Sequence, residues 1–136
     1  MMRAMANRSA DWLRQAERDL EHARLDRQRG FHEWACFSAH QAAEKAVKAL
    51  HLAHGQEVWG HVVRRSLEEL PETIDIPAEI LERAQVLDGY YIPTRYPNGH
   101  PDGAPLEHYG DLHSREAIAH ADAILEFVRR SMARGA

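Results

Sequence analysis

The side chains best suited to chemistry lie in one segment rich in proline and glycine, residues 90–105. Arg95 and His100 are separated there by four residues. An arginine offers a fixed fork of N–H donors to a phosphate, and a histidine exchanges a proton near neutral pH. These are the two groups needed to cleave RNA without a metal. A base takes the proton from the 2′-hydroxyl, and a cation stabilises the charge that develops on phosphorus.

Aromatic and amide side chains surround this pair. Tyr91 and Tyr96 can stack on bases or hydrogen-bond to phosphate, as in single-strand RNA binders. With Asn98 they form the candidate nucleotide-binding set. Because one arginine and one histidine are a small catalytic complement, we expect a symmetric homodimer to bring two loops together around a phosphodiester.

The same spacing allows two other interpretations. Arg95 could instead form a salt bridge that fixes the loop, with His100 as an exposed turn residue beside Gly99. Alternatively, the loop could bind a nucleotide without cleaving it. The spacing alone does not decide among cleavage, binding and loop structure, since chance produces such a pair in many chains.

The loop must be held by helices. Apolar residues recur at spacings of three and four, and no β-type alternation is sustained, so helices are predicted over residues 9–30, 31–55, 62–70 and 77–89. A last helix begins at Asp111 or Ser114. The fold predicted is all-α, a single up-and-down bundle of four to five helices with a long Pro-rich loop before the last helix.

The second helix should lie at the centre of this bundle, because alanines and bulky apolar residues occupy nearly all of its faces. Along its polar positions, Glu44 and Lys48 are spaced as an i,i+4 ion pair, although direct contact with a ligand is the alternative. His61, just before the third helix, fits a capping or surface role better than that of a ligand-binding residue.

Length and composition limit the classes of protein to which this chain can belong. The 136 residues form one domain, with a core over about residues 9–130 and a short leader in residues 1–8. The net charge of −4 argues against a general nucleic-acid coat but not against a small RNA site. Cys36 is the single cysteine and is expected to be a packed thiol. The sequence lacks apolar runs of membrane-spanning length, a secretory signal and metal-ligand motifs, so we expect a cytoplasmic protein with no membrane contact, no metal and no cofactor.

Three stretches, WACFSAHQAAEKAVKALHLAHG, GHVVRRSLEELP and LDGYYIPTRYPNG, together resemble the HEPN domain family of small helical bacterial and archaeal proteins. The resemblance implies an all-α bundle that dimerises and is encoded beside a minimal nucleotidyltransferase. Many members are metal-independent endoribonucleases, often the toxin of a toxin–antitoxin pair. Their motif is an arginine, four to six residues and a histidine, which Arg95 and His100 satisfy.

The resemblance therefore implies that Arg95 binds the scissile phosphate, that His100 transfers protons and that a nucleotidyltransferase antitoxin holds the dimer inactive. Ribonuclease members commonly have Asn, Asp or His directly after the arginine, where this chain has Tyr96. Some toxins also carry a tyrosine two residues after the histidine, where this chain has Asp102. The alternative function is a non-catalytic nucleotide- or substrate-binding subunit of a nucleotidyltransferase complex.

Overall fold

Five α-helices form the framework of residues 7–135, the part of the chain that this computed structural model describes. They are α1 (Ser9–Gln28), α2 (His32–Ala53), α3 (Val63–Glu68), α4 (Ala78–Asp88) and α5 (Asp111–Gly135). No strand occurs in that part of the chain. The predicted all-α bundle, with its long loop before the last helix, is confirmed. Most of the predicted leader, residues 1–6, lies outside the described residues.

Helix α2 is the central element, as its composition predicts. It packs along α1 and along α5, and it also contacts α3 and α4. The alanines on its buried faces are fully covered, among them Ala39, Ala42, Ala43 and Ala46. Small side chains allow neighbouring helices to approach closely, so bulk in the core comes from residues such as Leu20, Leu125 and Ile124.

Two glycines end the first two helices. Gly30 has a φ of 83° and Gly55 a φ of 72°, both in the left-handed region that L side chains rarely adopt. The last helix begins at Asp111, and Ser114 lies within its first turns. The buried Ser114 hydroxyl contacts His32 Nδ1 at 2.8 Å, which ties the beginning of α5 to the beginning of α2.

The carboxylate of Asp88 joins α3 to α4. It accepts hydrogen bonds from the backbone N–H groups of Val63 at 2.7 Å and of Arg64 at 3.0 Å, the first two residues of α3. A carboxylate at this position pairs with orphan donors of the helix end and with the positive end of its dipole. The segment before α3 and the loop after α4 are thereby held side by side.

The long loop, residues 89–110, packs on the bundle through its own side chains. It contains two short 3₁₀ turns, Pro97–Gly99 and Pro105–Glu107. Thr94 is 1% exposed, and the ring of Tyr90 meets that of Tyr109 edge to face at 5.8 Å. Burial is the main cause that raises the pKa of Tyr90 to about 12. The loop is thus pinned by aromatic rings.

Cys36 is fully buried on α2, and burial is the main cause that raises the pKa of its thiol to about 12. This agrees with the predicted packed thiol. In residues 7–135, no helix is both long enough and apolar enough to cross a membrane.

Candidate functional site

The guanidinium of Arg95 lies among three aromatic rings. Its Cζ is 4.4 Å from the centroid of Tyr91, 4.5 Å from that of Phe37 and 5.2 Å from that of Tyr96. The Arg95 Nε donates to the carbonyl oxygen of Tyr91 at 2.8 Å. A backbone carbonyl of the loop therefore fixes the guanidinium at Nε, while the rings of Phe37 on α2 and of the two tyrosines stabilise its charge through their π faces.

This setting differs from the predicted alternative of a loop-fixing salt bridge. Among residues 7–135, no carboxylate pairs with Arg95, and none of the other four N–H groups of its guanidinium has an acceptor. Aromatic faces stabilise a cation without using the donors in its plane. The free edge of Arg95 can therefore make the paired hydrogen bonds by which arginine binds a phosphate or carboxylate.

His100 is fixed by the loop on the other side of the same segment. Its Nε2 is 2.7 Å from the carbonyl oxygen of Pro93, so Nε2 carries the proton and donates it. In the neutral ring, Nδ1 is then the atom that can accept a proton. The imidazole also stacks on that of His108, with centroids 4.0 Å apart and planes 4° apart.

Gly99 sets the close approach on which this geometry depends. A Cβ at this position would lie 2.8 Å from Pro93 Cα, closer than real Cβ atoms come to other heavy atoms. The absence of a side chain lets the turn carrying His100 pack directly on the proline whose carbonyl binds the imidazole.

Within one chain, the predicted site residues fall into separate groups. Arg95, Tyr91 and Tyr96 are together, whereas His100 contacts a different set of neighbours. No hydrogen bond or ring contact joins Arg95 to His100 in residues 7–135. The side chain of Asn98 is exposed on the first 3₁₀ turn.

Two further residues lie beside this site: His61, which the sequence placed at a cap or on the surface, and Glu44, for which contact with a ligand was the alternative to an ion pair. The Nδ1 of His61 is 3.0 Å from Glu44 Oε1, and the ring of His61 stacks on that of Tyr91 at 4.7 Å and 18°. Glu44 therefore pairs with His61 and not with Lys48, whose ammonium lies over the ring of Trp12 at 4.6 Å. The two residues are 17 positions apart on different elements, so helical spacing gives no signal for their contact.

His40 supports the site from within. It is fully buried, and its Nε2 lies 3.0 Å from the carbonyl oxygen of His61 and 3.2 Å from Asp88 Oδ1. Its ring is 5.1 Å from that of Tyr91. This imidazole links α2 to the two segments that carry His61 and Tyr91, and it has no exposed surface with which to meet a ligand.

Two cavities lie away from Arg95 and His100. One of about 770 Å³ is bordered by the beginning of α4 and the C-terminal half of α5, and one of about 520 Å³ lies beside Trp59. Neither is lined by a residue of the loop 89–110. In the described part of the chain, no group of three or more His, Cys, Asp or Glu residues is arranged to hold a metal ion.

A five-helix bundle of this topology, with a cation and an imidazole on the loop before its last helix, defines a class of small all-α proteins. The model of the HEPN domain matches residues 9–131, which is most of the chain. The chain belongs to the HEPN family.

Solved structures agree with this assignment. TT1696 from Thermus thermophilus is 50% identical, with a TM-score of 0.91 over 93% of this chain and 99% of that one. An archaeal HEPN homologue, ST0689, is 42% identical, with a TM-score of 0.80 over 93% and 99%. A HEPN domain protein from Thermotoga maritima is 35% identical, with a TM-score of 0.75 over 91% and 98%. No curated protein matches the sequence.

Proposed function

We propose that this chain is a HEPN-type, metal-independent endoribonuclease that works as a homodimer and as the toxin of a pair with a minimal nucleotidyltransferase. Arg95 binds the scissile phosphate, and His100 transfers a proton. Tyr91, Tyr96 and Asn98 contact the nucleotides.

The observation that carries the proposal is the free edge of Arg95. A guanidinium that is anchored through Nε and covered by aromatic rings, but unpaired with any carboxylate among residues 7–135, is arranged to receive an anion. The exposed ring of Tyr96, 5.2 Å from the guanidinium carbon, offers a stacking surface beside it. A nucleotide supplies the partner for each group, because its phosphate can pair with the guanidinium and its base can stack on the ring of Tyr96.

The cleavage step uses these groups as follows. Nδ1 of His100 accepts the proton of the 2′-hydroxyl, and the oxygen forms a bond to the adjacent phosphorus. The bond from phosphorus to the 5′-oxygen breaks, leaving a 2′,3′-cyclic phosphate, and an acidic group of the dimer gives the 5′-oxygen the proton that makes it a hydroxyl. Arg95 donates to the non-bridging oxygens, whose negative charge rises in the transition state.

The end of the bundle beside the loop supports a homodimer. Several large apolar side chains are exposed there or on the loop, including Phe31 (54%), Trp34 (45%), Leu112 (55%) and Ile92 (49%). The ends of α1 and α5 meet in this region through the Arg27–Asp111 ion pair at 2.9 Å. Exposed apolar groups gathered at one end are typical of an association surface.

The test is cleavage of a mixed RNA in excess chelator. Arg95→Lys keeps the charge but loses the donor fork, so we expect a loss of about 100-fold or more, and His100→Ala should lose a similar factor. Arg115→Ala, an exposed arginine on α5, is the matched control and should cut as well as wild type. Inactive wild type, or full activity of both loop variants, would refute the ribonuclease.

One observation favours the second candidate, a nucleotide-binding subunit of a nucleotidyltransferase complex. Within a single chain, the aromatic cluster holds Arg95 but not His100. Mononucleotide binding that is lost in Arg95→Ala and retained in His100→Ala, by a protein that leaves RNA intact, supports this alternative over cleavage.

A further inference from the structure

We infer that His61, oriented by Glu44, is a second proton-transfer group at this site and protonates the departing 5′-oxygen. The inference rests on the ribonuclease function proposed above. It assigns to the same chain an acid that would otherwise have to come from the partner subunit of the dimer.

The first support is the geometry of the pair. Glu44 Oε1 lies 3.0 Å from Nδ1 of His61, which fixes the proton of the neutral ring on Nδ1. The carboxylate is largely covered, at 17% exposure, whereas the imidazole is 56% exposed. Nε2 has no hydrogen-bond partner among residues 7–135 and is the atom left to exchange a proton with a ligand. A catalytic imidazole oriented by a carboxylate has this arrangement.

The second support is the position of the pair relative to Arg95. One face of the site is the ring of Tyr91, which contacts both the guanidinium at 4.4 Å and the His61 imidazole at 4.7 Å. The Tyr91 carbonyl also anchors Arg95 through Nε. Arg95 and His61 thus share Tyr91 as a neighbour, and on this basis we place the phosphate bound by Arg95 within reach of His61.

His40, the other imidazole beside Tyr91, cannot act as this acid. His40 also lies against Tyr91, at 5.1 Å, but it is fully buried and its Nε2 is occupied by the carbonyl oxygen of His61 and by Asp88. His61 is thus the imidazole of this ring cluster that a ligand can reach.

The assignment of acid and base follows from the partners of each ring. His61 pairs with a carboxylate through Nδ1, so in its acid form the N–H on Nε2 is the one left to face a ligand. His100 is bonded to a neutral carbonyl and offers Nδ1 as acceptor. In the cleavage step His100 gains the 2′-hydroxyl proton, while the proton on Nε2 of His61 passes to the 5′-oxygen as its bond to phosphorus breaks. Reprotonation of His61 and deprotonation of His100 by water complete the turnover.

The experiment compares two dinucleotides that differ in one atom. The first is an ordinary ribonucleoside 3′,5′-dinucleotide, and the second has sulfur in place of the bridging 5′-oxygen. A thiolate leaves without being protonated, so cleavage of the second substrate does not need the acid. We expect His61→Ala to lose about 100-fold or more in kcat on the oxygen substrate and less than about fivefold on the sulfur substrate. His100→Ala, which removes the base, should lose activity on both.

Glu44 is a positioning residue and is tested by Glu44→Gln. The amide keeps an oxygen toward the imidazole but removes the charge, so kcat on the oxygen substrate should fall about 5- to 10-fold with KM unchanged. His22→Ala is the matched control, because His22 is also exposed and lies 3.4 Å from a carboxylate, Asp26, but on α1. It should behave as wild type on both substrates.

The outcomes separate this inference from the function on which it rests. Equal losses of His61→Ala on both substrates, or no loss on the oxygen substrate, overturn the role of His61 and leave the ribonuclease intact. If wild type cleaves neither substrate nor mixed RNA, the ribonuclease itself fails and the acid role fails with it. Cleavage of the sulfur substrate by His61→Ala also shows that this variant is folded.

Discussion

Replacement of Asp88 by alanine should lower the free energy of unfolding by about 3 kcal/mol, because one carboxylate satisfies several groups that have few other partners. It accepts from the N–H groups of Val63 and Arg64 at the beginning of α3, and from the buried His40. Val63 is fully buried, so water cannot replace the lost acceptor there.

The magnitude follows from these contacts. Loss of a helix cap costs about 1 kcal/mol, and a buried donor left unpaired costs about 1–3 kcal/mol. We add no full penalty for His40, since its Nε2 keeps the carbonyl oxygen of His61 at 3.0 Å. Asp88→Asn retains one oxygen acceptor and should cost about 1–2 kcal/mol.

Urea unfolding followed by circular dichroism measures this difference. For a slope of about 2 kcal/mol/M, the alanine variant should have a midpoint about 1.5 M lower. Asp122→Ala is the matched control, because Asp122 pairs with exposed Arg24 at 3.2 Å and both side chains are about half exposed. It should change stability by less than about 0.5 kcal/mol. The reasoning is refuted if Asp88→Ala is as mild as this control, or if asparagine is as damaging as alanine.

Three further substitutions or treatments test other parts of the structure. Gly99→Ala should destabilise the protein by about 1–3 kcal/mol and reduce RNA cleavage, since its Cβ would come within 2.8 Å of a proline Cα, whereas Gly110→Ala meets nothing within 4 Å and should be mild. Cys36, whose pKa is raised to about 12, should resist alkylation at pH 8 in the native protein and react fully in urea. Burial is the main cause that lowers the pKa of His120 in the folded state, and the charge of Arg83 adds to it. The stability that His120 contributes is therefore present above about pH 6.5, the pKa of an unperturbed histidine, and is lost as the pH falls through its lower pKa in the folded protein. His120→Gln should therefore weaken the acid-side decline in melting temperature.

The helical framework was predictable because its signal is local. Apolar residues at spacings of three and four identify each buried stripe, and Gly30 and Gly55 mark the ends of the first two helices by a backbone conformation that other residues avoid. The central position of α2 followed from its alanines, which are small enough to be covered by two helices at once. None of these inferences needs knowledge of which segments meet in space.

The candidate site was predictable only in part, for the opposite reason. Arg95 and Tyr91 are four residues apart, within reach of one turn of chain, and their contact is local. The pairing of His61 with Glu44 depends instead on where the segment between α2 and α3 returns to the bundle. The i,i+4 rule predicted that Glu44 pairs with Lys48, a contact worth only a few tenths of a kcal/mol on an exposed helix. The imidazole of His61 beside Glu44 and the ring of Trp12 beneath Lys48 together outweigh so small a preference.

The polar side chains of α2 explain why the candidate site lies against this helix. A helix covered by apolar neighbours on most of its faces can carry charged side chains only where the flanking segments leave a gap, and each polar group there needs a partner. In the described chain the partners come from other elements: Ser38 with His22, Lys45 with Asp19, His40 with Asp88, and Glu44 with His61. The two pairs toward the loop converge on the ring of Tyr91. The side chains of the candidate site are therefore supported by the central helix of the bundle, and the guanidinium of Arg95 is positioned by a helix as well as by the loop.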